Sequence, residues 1–137
     1  MRILGIDYGN RRTGIAISDE TEFLASSIGT VQGSDPQKVA KEVADIYIKN
    51  NAQKIVLGLP KNMDGSSGFR VEYTLKFKEL LAELLPDTEI VLYDERMTTM
   101  VAHQYMNITD VRGKKRKSTV DTLAAKIILQ DYLDSKR

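Results

Sequence analysis

Asp7, the adjacent pair Asp94-Glu95 and Asp121 are the residues of this 137-residue chain whose settings ask for a chemical explanation. Asp7 sits near the end of an almost continuous apolar run, Arg2-Ile3-Leu4-Gly5-Ile6-Asp7-Tyr8-Gly9. Runs of this kind form strands buried on both faces, and an ionised carboxylate there is costly to desolvate without a partner. A bound cation would remove that cost, and so would a nest of backbone N–H groups. Asp94 and Glu95 close a second apolar run, Glu89-Ile90-Val91-Leu92-Tyr93. Successive strand residues point to opposite faces, so at most one of the pair can join Asp7. Asp121 is followed at helical spacing by Ala124, Ala125, Ile128 and Tyr132, which puts it on an apolar helix face.

Three carboxylates in one place repel, by about 4 kcal/mol for a pair about 4 Å apart at an effective dielectric near 20. Divalent cations offset that repulsion, and an all-oxygen ligand set suits Mg²⁺ or Mn²⁺ rather than zinc. Two such ions about 4 Å apart can activate a water and stabilise the leaving oxygen of a phosphodiester. Taken singly, each acid has a simpler explanation. Asp7 could cap the turn at Gly9, and Asp94 or Glu95 could pair with Arg96 or the basic segment that follows. Ser118-x-x-Asp121 has the spacing of a helix-capping box. It is their predicted convergence that favours metal chemistry. His103, the single histidine, reads as a surface or packing residue, which leaves no second histidine for a catalytic triad.

The elements that must bring these acids together can be read in order. The first strand turns at Gly9–Arg12 into a second, Thr13–Ser18, and a third extended piece covers roughly Phe23–Val31, weakened at Gly29. Asp35-Pro36 starts a helix as N-cap and first helical residue, Val39, Val43, Ile46 and Tyr47 form its stripe, and Asn50-Asn51 ends it. Lys54–Leu59 is the next buried strand, left at Pro60 for a loop over Lys61–Gly68. A second helix from Phe69 presents Phe69, Tyr73, Phe77, Leu80 and Leu84 on one stripe. After the last strand come a short helix from Thr98 or Thr99 to Met106, a basic loop, and a final helix from Ser118. Strands separated by helices pair in parallel and the opening meander pairs antiparallel. The expectation is one α/β domain with a mixed five-stranded sheet, helices on both faces and the first strand central. Ligand sites in such sheets form beyond the strands' carboxyl ends, where Asp7, the Pro60–Gly68 loop and Asp94-Glu95 all fall.

Composition narrows the partners. A hydrophobic fraction of 42% and a charged fraction of 28% are those of an ordinary globular domain. The absence of cysteine excludes disulfides, thiolate catalysis and cysteine-based zinc sites. The N-terminus enters a strand directly and no apolar run approaches the ~20 residues of a membrane helix, so the expected location is the cytoplasm. Net charge is +1, but it is unevenly spread. Of the 20 basic residues, five (Arg112, Lys114, Lys115, Arg116 and Lys117) fall within six positions, leaving 15 against 19 acidic ones. Local positive charge on a mildly acidic chain marks a place for a polyanion.

Four stretches resemble, in order and across essentially the whole chain, the motifs of the YqgF/RuvX family of RNase H-like proteins. They are Asp7-Tyr8-Gly9-Asn10-Arg11-Arg12-Thr13-Gly14-Ile15-Ala16, Gly58-Leu59-Pro60 with Asn62-Met63-Asp64-Gly65, Asp94-Glu95-Arg96-Met97-Thr98-Thr99, and Lys117-Ser118-Thr119-Val120-Asp121 with Ala124-Ala125-Ile128-Leu129-Gln130. The first alone is also found in phosphate loops of actin-like ATPases; the four together are specific. The resemblance implies a single RNase H-like domain over 1–137 and a metal-dependent nuclease using two Mg²⁺ or Mn²⁺ ions. The implied metal-binding and catalytic acids are Asp7, Glu95 and Asp121, with the choice between Asp94 and Glu95 open. Gly9 and Gly14 would let the first turn approach a phosphate. Arg12, Lys61, Asn62 and Ser66 would line the groove, and the basic loop Arg112–Lys117 would close over it. The implied substrate is structured RNA, at the 5′ end of pre-16S ribosomal RNA. The alternative is a Holliday junction, whose symmetric cutting calls for a two-fold dimer, so the chain is expected as monomer or homodimer. A non-catalytic nucleic-acid-binding factor and an actin-like nucleotide hydrolase are lesser alternatives.

Overall fold

The computed structural model describes residues 1–59, 69–94 and 113–136, with the side chains of 69 and 113–122 outside that description. Five strands form one sheet: β1 Arg2–Asp7, β2 Arg12–Ser18, β3 Ala25–Gln32, β4 Ala52–Leu59 and β5 Glu89–Asp94. Their order is β3-β2-β1-β4-β5, so the first strand is central, as its apolar run implies. β1 pairs antiparallel with β2 and parallel with β4, β2 pairs antiparallel with β3, and β4 pairs parallel with β5. The sheet is therefore mixed in the expected way, a hairpin meander on one side of β1 and crossover strands on the other.

Side-chain alternation along β1 divides the core in two. Leu4, Ile6 and Tyr8 pack with helices α1 (Pro36–Lys49) and α2 (Phe69–Leu84) on one face. Ile3 packs on the other face with α3 (Gly113–Ser135), through Ala125, Ile128, Leu129 and Tyr132. Ile3, Leu4 and Ile6 are fully buried. Each contributes about 1.5–3 kcal/mol relative to an exposed side chain, which holds β1 as the axis of the domain.

The start of α1 follows the sequence reading. The Asp35 carboxylate accepts the Gln37 N–H at 3.1 Å, Pro36 follows it, and Val39, Val43 and Tyr47 are buried. At the other end the Asn50 side-chain amide donates to the Ile46 carbonyl at 2.8 Å, and Asn51 takes the left-handed conformation, φ 56°, that ends the helix.

Three expectations are corrected. On α2 the buried positions are Val71, Thr74, Phe77 and Leu81, followed just past its end by Leu85, while Leu84 is exposed and Leu80 only partly buried. The 3.6-residue period carries the stripe one position past the Phe77-Leu80-Leu84 reading once α1 packs beside the helix. The third strand begins at Ala25 rather than Phe23; Phe23 and Leu24 lie in the turn and are exposed. Its register shifts between Ser27 and Gly29, an added residue of the kind a glycine permits. The last helix begins at Gly113 rather than Ser118. Lys114, Lys115, Arg116 and Lys117 are thus on a helix and not in a loop, and Asp121 lies in its third turn, beyond the reach of a capping box. Lysine and arginine are good helix formers and nothing between Gly113 and Ser135 breaks the run. The Lys61–Gly68 loop and the Thr98–Met106 helix fall outside the described residues.

Candidate active site

β1, β4 and β5 run parallel and end at one edge of the sheet, at Asp7, Leu59 and Asp94. The register places Asp7 opposite Gly14 on β2 and, one step beyond the Ile6–Leu57 pair, level with Gly58 on β4. Gly14 pairs in turn with Thr30, and Gly58 with Tyr93. A row thus crosses the sheet on one face: Thr30, Gly14, Asp7, Gly58, Tyr93. Asp7 is its centre, and both immediate neighbours lack side chains. With strands about 4.8 Å apart, neither neighbouring strand places a side chain beside the carboxylate in this row.

The face is that of α3. Asp7 has the same parity on β1 as Ile3, whose cluster contains α3, and as Gly5. A Cβ at Gly5 would stand 2.8 Å from the Leu129 Cβ and 3.2 Å from the Ala125 carbonyl, so glycine is needed for the helix to approach β1 this closely. The direction of α3 follows from its other anchors. Near its carboxyl end the Tyr132 ring lies 5.2 Å from the Lys54 Nζ, and Lys54 pairs with Ile3 at the start of β1. The Gln130 amide also accepts the Ala25 N–H at 2.9 Å and donates to the Phe23 carbonyl at 3.0 Å. The helix therefore runs antiparallel to β1. From Ala125 back to position 121 is about 6 Å of helix, and from Gly5 on to Asp7 about 6.6 Å of strand. The helix backbone at position 121 and the strand backbone at Asp7 are thus brought level.

Asp94 belongs to the other face. It has the parity of Ile90 and Leu92, which pack against the α1/α2 cluster, whereas Val91 and Tyr93 pack with α3. Asp94 is two strands, about 10 Å, from Asp7 and points away from its side. Among the described residues no group of three His, Asp or Glu side chains could hold a metal ion. Glu95, Lys61, Asn62, Ser66 and Arg112 lie outside the described residues, as do the side chains of Asp121 and of Lys114 to Lys117.

The turn after Asp7 is set by packing. A Cβ at Gly9 would collide with the Arg12 carbonyl, so this glycine is required by its own turn before any ligand is considered. Arg12 opens β2 opposite Gln32, and the Arg11 carbonyl accepts the Gly33 N–H at 2.9 Å, extending the hairpin to the same edge. Tyr8 turns to the α1/α2 face, 4% exposed, and stacks on Phe77 (centroids 3.9 Å apart, planes at 11°) and Tyr73 (5.3 Å, 26°). Burial pushes its phenol well above the ordinary tyrosine range, helped by a hydrogen bond to the Tyr73 hydroxyl and by the nearby charges of Tyr73 and Asp35.

Sequence reasoning placed Asp7 at the carboxyl end of the central strand, and it lies there. It missed the part played by Gly5 and Gly58, whose signal was present: a glycine inside each of two otherwise apolar buried strands.

A five-stranded mixed sheet of this order, with an acid at the tip of its central strand and a long helix closing over it, defines an RNase H-like domain. Solved structures share that fold: Thermus thermophilus RuvC in complex with a Holliday junction substrate (TM-score 0.62, 17% identity, 99% of this chain and 95% of that one). So does the fowlpox virus resolvase bound to Holliday junction DNA (TM-score 0.58, 14% identity, 99% of each chain). Within that class the chain belongs to the RuvX family, described as Holliday junction resolvase, whose model matches residues 1–135. Among its relatives are proteins named "Putative pre-16S rRNA nuclease". One is from Staphylococcus haemolyticus (44% identity, 98% of this chain and 96% of the relative). Another, from Bacillus cytotoxicus, is 44% identical over 99% of this chain and 100% of its own length.

Proposed function

We propose that this chain is a divalent-metal-dependent nuclease that trims structured RNA in the cytoplasm, at the 5′ end of pre-16S ribosomal RNA. The carrying observation is the row of Asp7 between Gly14 and Gly58, with the α3 backbone at position 121 level with it. Asp7, Glu95 and Asp121 would hold two Mg²⁺ or Mn²⁺ ions. The opposite parity of Asp94 supports Glu95 as the second acid, in the direction of the family motif. The site fits such ions in two respects: its donors are carboxylate oxygens, and the flanking glycines leave space for hydrated cations and a phosphate. Bound there, the ions would supply an activated water and charge stabilisation on the leaving oxygen. Gly14 would admit the phosphate and Gly9 would hold the turn beneath it. Arg12, Lys61, Asn62 and Ser66 would line the groove.

Arg112, Lys114, Lys115, Arg116 and Lys117 would hold the flanking backbone, four of them from the first turns of α3 rather than from a loop. If all five met duplex phosphates, log affinity would fall with log salt at a slope of about −0.9 per contact. The relatives' shared name supports the RNA substrate. The family description supports a second reading, four-way DNA junctions, which requires a two-fold dimer with two active sites.

Cleavage of precursor ribosomal RNA and of a four-way junction, with Mg²⁺ or Mn²⁺, separates these readings when wild type is set beside Asp7→Asn and Asp121→Asn. RNA cleavage by wild type and its loss in both variants, with unchanged thermal melts, is the expected result. Undiminished cleavage by both variants would overturn the metal site. Junction cleavage by a dimer, with precursor RNA left intact, would favour the second reading.

A further inference from the structure

The ladder of β1 ends at its acid. Asp7 pairs with Gly14 as the last pair between β1 and β2, and Tyr8 follows outside the strand. Asp7 is therefore the last residue of β1 held in that ladder. On its carboxyl side lies Tyr8, and beyond it Gly9, a residue with no side chain to anchor. The ring of Tyr8 is held there, pressed flat against Phe77 at 3.9 Å and flanked by Tyr73 at 5.3 Å. Both come from α2, on the sheet face opposite Asp7.

We propose that Tyr8, clamped by Phe77 and Tyr73 of α2, is a positioning residue that aims the Asp7 carboxylate into the metal site. The inference rests on the reading of Asp7 as a metal ligand. The physical link is the alternation of an extended chain. Asp7 faces α3 only while Leu4, Ile6 and Tyr8 remain buried on the other face. Ile6 secures this from the ladder side, and Tyr8 secures it where the ladder has stopped. A rotation of the Tyr8 backbone toward solvent would swing the Asp7 carboxylate away from the glycine row. The ring carries most of the restraint, because it fills the space over Phe77; the hydroxyl shared with Tyr73 adds its direction. Tyr73 also lies in the second turn of α2, which immediately follows the stretch carrying Lys61, Asn62 and Ser66. The same stack thus ties the acid to the root of that stretch.

Mn²⁺ binding to the whole protein, followed by calorimetry or by the spin signal of the free ion, tests this without recourse to activity. Tyr8→Leu and Tyr73→Leu should each weaken Mn²⁺ binding, the first by about tenfold or more, as loss of a group supporting a metal ligand does. Tyr8→Phe, which restores the ring, should return affinity to within about threefold of wild type. Leu81→Ala, a fully buried change one turn along the same helix, should lower the melting temperature at least as much and leave Mn²⁺ affinity unchanged. The proposal is overturned if Tyr8→Leu binds Mn²⁺ as wild type does, or if Leu81→Ala weakens binding as much. Should Tyr8→Leu not fold, Tyr73→Leu, which leaves Tyr8 on Phe77, decides in its place by the same two criteria. Asp7→Asn serves as the reference. If it too binds Mn²⁺ with wild-type affinity, the ligand reading of Asp7 fails, and not the clamp alone.

Discussion

The two faces of the sheet at the tip of β1 are built on opposite plans. Toward α1 and α2 the space is filled: Tyr8, Phe77, Leu81 and Ile6 are buried together, two of them as stacked rings. Toward α3 the neighbouring sheet positions carry no side chains: Asp7 stands between Gly14 and Gly58, with Gly5 one pleat below. A single strand serves both because consecutive residues point opposite ways. On the proposed function, stability and chemistry are therefore separable at this edge, residue by residue, and each face predicts a different response to substitution.

The filled face should show the largest free-energy effect. Leu81→Ala leaves a cavity in a fully buried position and should cost about 2–5 kcal/mol in chemical denaturation, with activity per folded molecule unchanged. If activity fell in proportion, the two faces would not be independent. Asp7→Asn is the mirror test. Cleavage should drop at least about 100-fold, some 2.7 kcal/mol of barrier, while the denaturation midpoint stays level or rises because a half-buried charge has been removed. A marked loss of stability instead would mean that Asp7 is a structural cap of its turn.

These two responses differ in how far the sequence foretold them. The order of the described elements, the central place of β1 and the Asp35-Pro36 start of α1 were all legible, since each depends on local pattern: an apolar run, a cap, a proline. Asp7 was legible as an acid out of place. The face taken by Asp94 was not, because parity is defined only once β5 has a register against β4. The start of α3 was hidden for another reason. A run of five basic residues looks like a solvated loop, and Ser118-x-x-Asp121 mimics a cap, yet neither stops a helix whose residues all tolerate one. The stripe of α2 was misplaced by one residue because Leu80, Leu81, Leu84 and Leu85 fit two adjacent stripes, and only the position of α1 and the sheet selects between them.

Gly5→Ala probes the boundary between the faces. The added methyl would lie 2.8 Å from the Leu129 Cβ, and backbone on both sides limits relaxation. Overpacking of this kind costs about 1–3 kcal/mol. Because the displaced element is α3, activity should fall along with stability, unlike in either single-face variant. Retained activity with lowered stability would show that α3 can move without carrying position 121 out of the site.

The smallest effect should come from the phenol of Tyr8. Its ionisation in the folded chain is pushed above the ordinary value of 10.0, chiefly by burial, while the unfolded chain ionises near that value. The sign follows from linkage: folding favours the neutral phenol, so its contribution to stability is complete below pH 10 and is lost progressively as the pH rises above it. One such group accounts for up to about 1.4 kcal/mol per pH unit in that window. Tyr8→Phe should therefore lose stability less steeply than wild type above pH 10 and match its pH dependence below. Denaturation midpoints at pH 8 and pH 11 are sufficient. Equal slopes would mean that the phenol already meets solvent through the turn at Gly9, and that the filled face is open at the one residue next to the acid.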